Sequence, residues 1–276
     1  MRIRNLVLLL IAAIGAVLAL QAFWIEPDSL RVNDYDLPLM HWPVSQNGLR
    51  IALIGDLHAG APFIDEAKID RVVAMANASH PDLILLAGDY LMIGTLFGHY
   101  MPPDVIAAHL SHLHAPLGVF AVLGNNDDYD GHRASVLAAF KQNGIVTLEN
   151  RVQRIRSGRY QFWLAGLSDY STIGSDPLLV LKGVDDDAPV IALTHDPIVF
   201  YRVPPRINVL LAAHTHGGQV RFPLIGAPAL RHSKYVRWHY REKTDMFITT
   251  GIGTSNLAVR FGVPPEISVL TLHQDR

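Results

Sequence analysis

The sequence predicts a layered α/β domain of α+β-like character, a sheet-on-sheet sandwich flanked by helices, carried behind one N-terminal membrane helix. Three observations predict it. From Arg50 onward short β-rich runs alternate with amphipathic helical stripes. The strand runs crowd together in the second half, which argues for two packed sheets. Leu6 to Leu20 carries no charge at all. A chain of 276 residues is long enough to bury a sizeable core, and no internal repeat or low-complexity tract divides it.

Residues 1–25 are expected to be a membrane anchor. About twenty apolar residues at ~1.5 Å rise span a ~30 Å hydrocarbon layer, and Trp24 stands where an interfacial aromatic belongs. A cleaved signal peptide, cut near Ala19 or Ala22, is the alternative, and the length of the run favours the anchor. Arg2 and Arg4 precede the span while Glu26 and Asp28 follow it. The positive-inside rule then places the rest of the chain on the outer, periplasmic face of an inner membrane, as a single-pass protein. Residues 26–48, with Pro27, Pro38 and Pro43, read as an extended linker to a catalytic domain at 49–276. Within that domain the runs 51–54, 83–86, 119–123, 145–148, 162–165, 190–193, 209–213, 247–250 and 267–272 read as strands. Stripes at 65–77, 103–113 and 132–143 read as helices.

Composition removes several function classes. Lys plus Arg number 23 against 25 Asp plus Glu, a formal charge of −2, so no global positive field gathers nucleic acid and none is expected as a partner. Cysteine is absent, which excludes disulfides, thiolate metal sites and cysteine nucleophiles. Hydrophobic residues make up 50% and charged residues 17%, with mean hydropathy +0.21; the chain is neither disordered nor highly solvated. Histidine is plentiful at 14, and the question is where those rings fall.

They fall at strand ends. The first predicted strand is followed by Gly55-Asp56-Leu57-His58, the second by Gly88-Asp89 and the third by Gly124-Asn125-Asn126-Asp127. Two later strands are followed by Thr194-His195-Asp196 and by His214-Thr215-His216-Gly217-Gly218. Strand ends of an α/β sheet converge on one edge, where ligands bind. A lone strand-end Asp is more often a turn residue than a ligand. His214-x-His216 is a stronger signal, because alternate residues of an extended segment point the same way. Five such ends in one chain form a specific constellation.

Asp56, Asp89, Asn125, His58, His195, His214 and His216 are seven candidate metal ligands. That is too many for one tetrahedral ion and suits two octahedral-leaning ions sharing a bridge. Two dications balanced by two aspartates and a hydroxide leave a charge of about +1, which attracts phosphate. Such a pair, ~3.5–4 Å apart, lowers the pKa of bound water and clamps the attacking and leaving oxygens of an in-line displacement. The chemistry expected is hydrolysis of a phosphoester or phosphoanhydride.

The series Asp-x-His, Gly-Asp, Gly-Asn-x-Asp, His and His-x-His resembles the calcineurin-like metallophosphoesterase superfamily, across roughly residues 50–272. His214 to Gln219, Gly251-Ile252-Gly253 and Arg260 to Glu266 are similar to its bacterial membrane-anchored or exported phosphodiesterase branch. The resemblance implies a four-layer metallophosphoesterase β-sandwich and two divalent ions, Mn, Fe or Zn. It implies Asp56, His58 and His216 on the first ion, Asn125, His195 and His214 on the second, and Asp89 bridging. It also implies catalytic positions at Asn126 and Asp127. The family usually carries His where Asn126 stands, and that His contacts phosphate and protonates the leaving oxygen; an amide donates a hydrogen bond but delivers no proton. Another histidine as acid, a leaving group that needs none, or weak activity would each accommodate Asn126. UDP-diacylglucosamine pyrophosphohydrolases, whose motif also lacks the His, are the alternative substrate class. A metal- or lipid-binding relative with little catalysis is the alternative of another kind. Ala213 replaces a usual Gly, a small steric change.

Residues 91–101 are apolar yet broken by Gly, and 222–243 interleave aromatics with Arg231, Lys234, Arg237, Arg241 and Lys243. Beside a membrane anchor this pattern suits an interfacial surface that admits an acyl-bearing phosphate, a phospholipid or glycolipid. An ordinary hairpin with solvated basic tips is the competing reading. His99, His109, His112 and His114 read as surface histidines, Asp169 as a turn residue, and Arg260 as either an anion contact or a structural ion pair.

Overall fold

The computed structural model describes residues 3–275, so Arg2, half of the expected orientation signal, lies outside the described residues. Among these residues twelve strands form two six-stranded sheets. The first holds β1 (Arg31–Leu39), β2 (Leu49–Ile54), β3 (Leu83–Ala87), β4 (Val119–Val122), β5 (Val146–Thr147) and β12 (Glu266–Gln274), in the order β1-β12-β2-β3-β4-β5. The second holds β6 (Arg151–Ser157), β7 (Tyr160–Gly166), β8 (Val190–Leu193), β9 (Val209–Ala212), β10 (Trp238–Arg241) and β11 (Asp245–Ile248), in the order β10-β11-β9-β8-β7-β6. The central strands β2, β3 and β4 are mutually parallel, as are β8, β9 and β11, while β12, β6 and β10 pair antiparallel with β2, β7 and β11.

The period-two alternation of each strand builds the layers. Ile51, Leu53, Leu83 and Leu85 point between the sheets and meet Leu193, Leu211 and Phe247. The alternate residues Ala52, Ile54, Ile84 and Leu86 face outward, onto the apolar stripes of helices Glu66–Ala78, Pro103–Leu110 and Arg133–Gln142 through Ile69, Val72, Ile106 and Phe140. Asp65 caps the first of these helices, its carboxylate accepting the Lys68 N–H at 2.8 Å. The outer face of the second sheet is covered by short pieces, the turn of helix Pro177–Val180 and the 3₁₀ segment Pro197–Arg202, with Val199 and Phe200 against Ala192, Leu210 and Met246. Full burial of each large aliphatic or Phe side chain contributes about 1.5–3 kcal/mol.

The expected linker at 26–48 is instead part of the domain. Arg31–Leu39 is an edge strand in parallel register with β12, from Arg31 opposite Glu266 to Leu39 opposite Gln274. Tyr35, Leu37 and Leu39 alternate onto the inter-sheet core, and Trp42 just beyond is fully buried. Pro38 is compatible because an edge strand leaves one row of N–H groups unpaired.

Helix Ile3–Leu20 continues through a π turn at Gln21–Ile25 into Glu26–Asp28, a 26-residue helical run long and apolar enough to cross a membrane. Its apolar side chains, Leu6 to Leu20 among them, are exposed. Its end is bolted to the domain. Glu26 is buried and accepts the Val263 N–H at 2.6 Å, and Lys68 Nζ donates to Asp28.

Candidate dinuclear metal site

β2, β3 and β4 are neighbours in one sheet and β8 and β9 in the other, so five strand ends open onto one edge of the sandwich. The loops leaving them are strained. Asp56, His58, Asp89, His214 and His216 all adopt left-handed backbone, with φ from 46° to 70°. For non-glycine residues each such conformation costs on the order of 1–3 kcal/mol and persists only where its surroundings over-determine it. Here they do: Asp56 N–H donates to the Gly88 carbonyl, His58 N–H to the Asp89 carbonyl, and His214 N–H to the Asp56 carboxylate, each at 3.0 Å. Gly251 has φ +69°, and a Cβ there would come within 2.6 Å of Asp56 Oδ2, so this loop can approach the carboxylate only as glycine.

Two donor clusters result. Asp56, His58 and His216 form one, and Asp89, His195 and His214 the other, the donor atoms of each lying within 4.8 Å of one another. His58 Nε2 faces His216 Nε2 at 3.1 Å, and His214 Nδ1 faces His195 Nε2 at 3.0 Å. Asn125 Oδ1 approaches the second cluster, 3.2 Å from His195 Nε2, while its amide nitrogen donates to Asn126 Oδ1 and so fixes which atom points inward. Asp89 Oδ2 faces both clusters, 3.6 Å from His58 Nε2 and 3.3 Å from His195 Nε2.

The outward nitrogen of His195 sets its tautomer. His195 Nδ1 lies 2.8 Å from the Ala87 carbonyl and His58 Nδ1 lies 3.2 Å from the Leu91 carbonyl. An N–H donated by His195 Nδ1 leaves its Nε2 lone pair directed inward, the arrangement expected of a metal-ligating histidine. His58 Nδ1 has both the Leu91 carbonyl and the donating Asn126 amide nitrogen at hand, so either of its tautomers finds a partner there. Lone pairs of two imidazoles at 3 Å repel unless a cation or proton lies between them. The electrostatics make the same demand. Burial pushes Asp56 up to about 7, against the pull of His195. Burial would also raise Asp89, but His195 and His58 outweigh it and hold that carboxyl well below its usual range. His195 is driven the other way, burial being overcome by Asp89 and Asp56. An all-N/O donor set with two buried carboxylates fits two borderline dications.

All seven expected ligands therefore converge. His214 and His216 do not project together as alternate residues of an extended segment would: the backbone turns through left-handed conformations, and the two rings join different clusters. Asn126 stands at the rim, its side-chain nitrogen 3.1 Å from His58 Nδ1 and its N–H donating to Asp89 Oδ1 at 2.9 Å. Asp127, expected at a catalytic position, is fully buried. Its carboxylate accepts the N–H groups of Asp89, Tyr90, Leu91 and Gly124 at 2.8–3.0 Å, which binds the β3 loop to the β4 loop.

Arg260 was the least legible contributor. Among the described residues no carboxylate lies within ion-pair distance of its guanidinium, and its burial keeps it from the cleft surface. Wholly buried, it donates to the carbonyls of Thr250, Gly251, Gly253 and Val263, with the shortest contact 2.6 Å to Gly253. Gly253 N–H in turn donates to the Asp56 carbonyl at 2.6 Å. Its partners are backbone groups, which leave no sequence signal. Arg260→Met is expected to lower Tm and to weaken Mn²⁺ affinity about 10- to 100-fold, the usual effect of losing an outer support. Metal titration of the variant checks this, and wild-type affinity would contradict it. Asp169 is a buried turn residue, accepting from Ser171 and Thr172, while His109 bridges Asp70 and Glu66 across two helices.

A two-sheet sandwich with paired donor clusters sharing one carboxylate is the frame of a metallophosphoesterase. Residues 49–218 match the calcineurin-like phosphoesterase family, and the chain belongs to it. It is 30% identical to a transmembrane protein with metallophosphoesterase domain from Danio rerio, over 98% of this chain and 63% of that protein. It is 29% identical to an uncharacterized metallophosphoesterase of Aquifex aeolicus, over 90% and 94% of the two chains. It is 30% identical to the phosphodiesterase YaeI of Escherichia coli, over 81% and 82%. The chain thus spans under two thirds of the vertebrate relatives, 63% of the Danio rerio protein and 56% of the Bos taurus one.

Proposed function

We propose that this chain is a membrane-anchored, dinuclear metal-dependent phosphodiesterase. Asp56, His58 and His216 would hold one ion and Asn125, His195 and His214 the other, with Asp89 between them. The observation that carries the reading is the pair of imidazole–imidazole approaches, 3.1 and 3.0 Å, on either side of Asp89. Bound Mn, Fe or Zn would supply a water nucleophile at neutral pH and neutralise charge on the phosphoryl oxygens. The chain's own residues orient the reaction. Asn126 offers an amide N–H to a phosphoryl oxygen, and Asp127 holds the loops that carry Asp89 and Asn125. The domain faces the periplasm across an inner membrane, and its substrate is a phospholipid- or glycolipid-type phosphodiester.

The full chain, stripped with chelator and reloaded with Mn²⁺, is expected to hydrolyse a bis-aryl phosphate only when reloaded, and His216→Ala to be inactive after reloading. Full metal occupancy without turnover would favour the metal- or lipid-binding alternative. Asn126 supports a second substrate reading. Lacking a proton donor there, the site suits a phosphoanhydride with a good leaving group, such as UDP-diacylglucosamine. Asn126→His is expected to accelerate esters with poor leaving groups about 10- to 100-fold and activated esters little. A plot of log kcat against leaving-group pKa measures this, and parallel lines for the two proteins would remove the explanation.

A further inference from the structure

The end of the apolar helix is fastened to the loops that rim the cleft. Arg260 N–H donates to the Ala22 carbonyl at 2.9 Å, and the Trp24 ring meets Phe63 edge-on at 5.6 Å. Hydrogen bonds run outward from this attachment. Phe261 N–H donates to the Gln219 carbonyl at 2.9 Å, and Gln219 Oε1 accepts the Ser255 N–H at 2.6 Å. Leu96 N–H donates to the Asn256 carbonyl at 2.9 Å. Segments 94–97, 219–226 and 254–257 are thereby tied together around the helix end. Gln219, Ser255 and Asn256 also line a cavity of about 760 Å³ whose wall includes His214 and His216. Helix exit, loop cluster and cleft mouth share one edge of the molecule.

What the loops expose on that edge is apolar: Leu224 at 100%, Phe97 at 87%, Ile225 at 75% and Leu96 at 53%. None of the four belongs to a core cluster. Arg231 and Lys234 are exposed nearby, with Lys234 on the cavity wall and paired with Glu242 at 2.6 Å. Apolar tips bordered by cations, continuous with a membrane-length helix, match the acyl–headgroup boundary of a bilayer.

We propose that the loop tips at Leu96–Phe97 and Leu224–Ile225 form a second membrane-contact surface. They enter the leaflet beside the helix and hold the cleft mouth at headgroup depth, where it favours phosphodiesters embedded in that leaflet over dissolved ones. A single fastened helix can still tilt and rotate in the bilayer together with its domain; two further contacts fix the face presented to the leaflet. The inference rests on reading the N-terminal helix as a membrane span, and its lipid preference on the phosphodiesterase reading above.

The chain has no cysteine, so single-cysteine variants of the full protein in nanodiscs take one probe each. Phe97→Cys and Leu224→Cys, labelled with an environment-sensitive fluorophore, are expected to be quenched by doxyl-lipid about threefold more than Asp187→Cys. Asp187 is exposed just before β8, at the opposite end of that strand from His195. Equal quenching at all three positions would overturn the proposal. So would shielding of 97 and 224 from both doxyl-lipid and aqueous iodide, which would signal a protein partner such as a second copy. This arm reports contact whether or not the protein turns over phosphodiesters. In the second arm, Phe97→Ser with Leu224→Ser is expected to slow hydrolysis of a bilayer-embedded phosphodiester about tenfold and leave a soluble bis-aryl phosphate at the wild-type rate. Equal loss on both substrates, or none on either, would refute the lipid preference.

Discussion

Asp89→Asn is expected to lower kcat/KM for phosphodiester hydrolysis by at least about 10³-fold, roughly 4 kcal/mol of transition-state stabilisation. The substitution preserves volume and keeps an acceptor for the Asn126 N–H, which the wild-type Oδ1 accepts at 2.9 Å. What changes is the atom between the clusters. Oδ2, 3.6 Å from His58 Nε2 and 3.3 Å from His195 Nε2, loses its charge, and an amide in its place directs protons at inward lone pairs. On the proposed sharing of Asp89 between two ions, that reversal is expected to lower metal content while the sandwich stays folded. Elemental analysis beside kinetics separates the two effects. A variant that keeps both ions and the wild-type rate would show that Asp89 bridges nothing.

The strand ends were legible because each pairs an apolar run with an acid, amide or imidazole, at four of the five beside a glycine, as in Gly55-Asp56 and Gly88-Asp89. Sheet pairing then did what no local pattern states, placing β8 and β9 opposite β2, β3 and β4. The left-handed backbone at Asp56, His58, Asp89, His214 and His216 was invisible, since none is a glycine and the conformation is enforced by loops remote in sequence. That is why a period-two argument for His214 and His216 failed although both rings reach the site. β1 was obscured for a different reason. Pro38 reads as a strand breaker, yet Tyr35, Leu37 and Leu39 carry the alternation of a half-buried edge strand. Arg260 and Asp127 act through carbonyls and amides brought from distant loops, and residue type alone announces no such partner.

Asp127→Ala is the substitution expected to damage the fold most. Its carboxylate satisfies four buried N–H groups, those of Asp89, Tyr90, Leu91 and Gly124, from two loops that also meet through the Asn126 N–H on Asp89 Oδ1. An orphaned buried donor costs about 1–3 kcal/mol, so even with relaxation the loss should reach roughly 4 kcal/mol. Against a total of about 5–15 kcal/mol that is a large share of the stability. At about 2–4 °C per kcal/mol for a domain of this size, Tm should fall by around 10 °C. Asp127→Asn keeps one acceptor oxygen and turns the other into a donor facing N–H groups, so it should fall between alanine and wild type. A role in proton transfer predicts the opposite pattern, an unchanged Tm with lost turnover in both variants. Thermal unfolding of the three proteins, followed by far-UV circular dichroism in detergent, decides between a carboxylate that reacts and one that holds Asp89 and Asn125 where they can act.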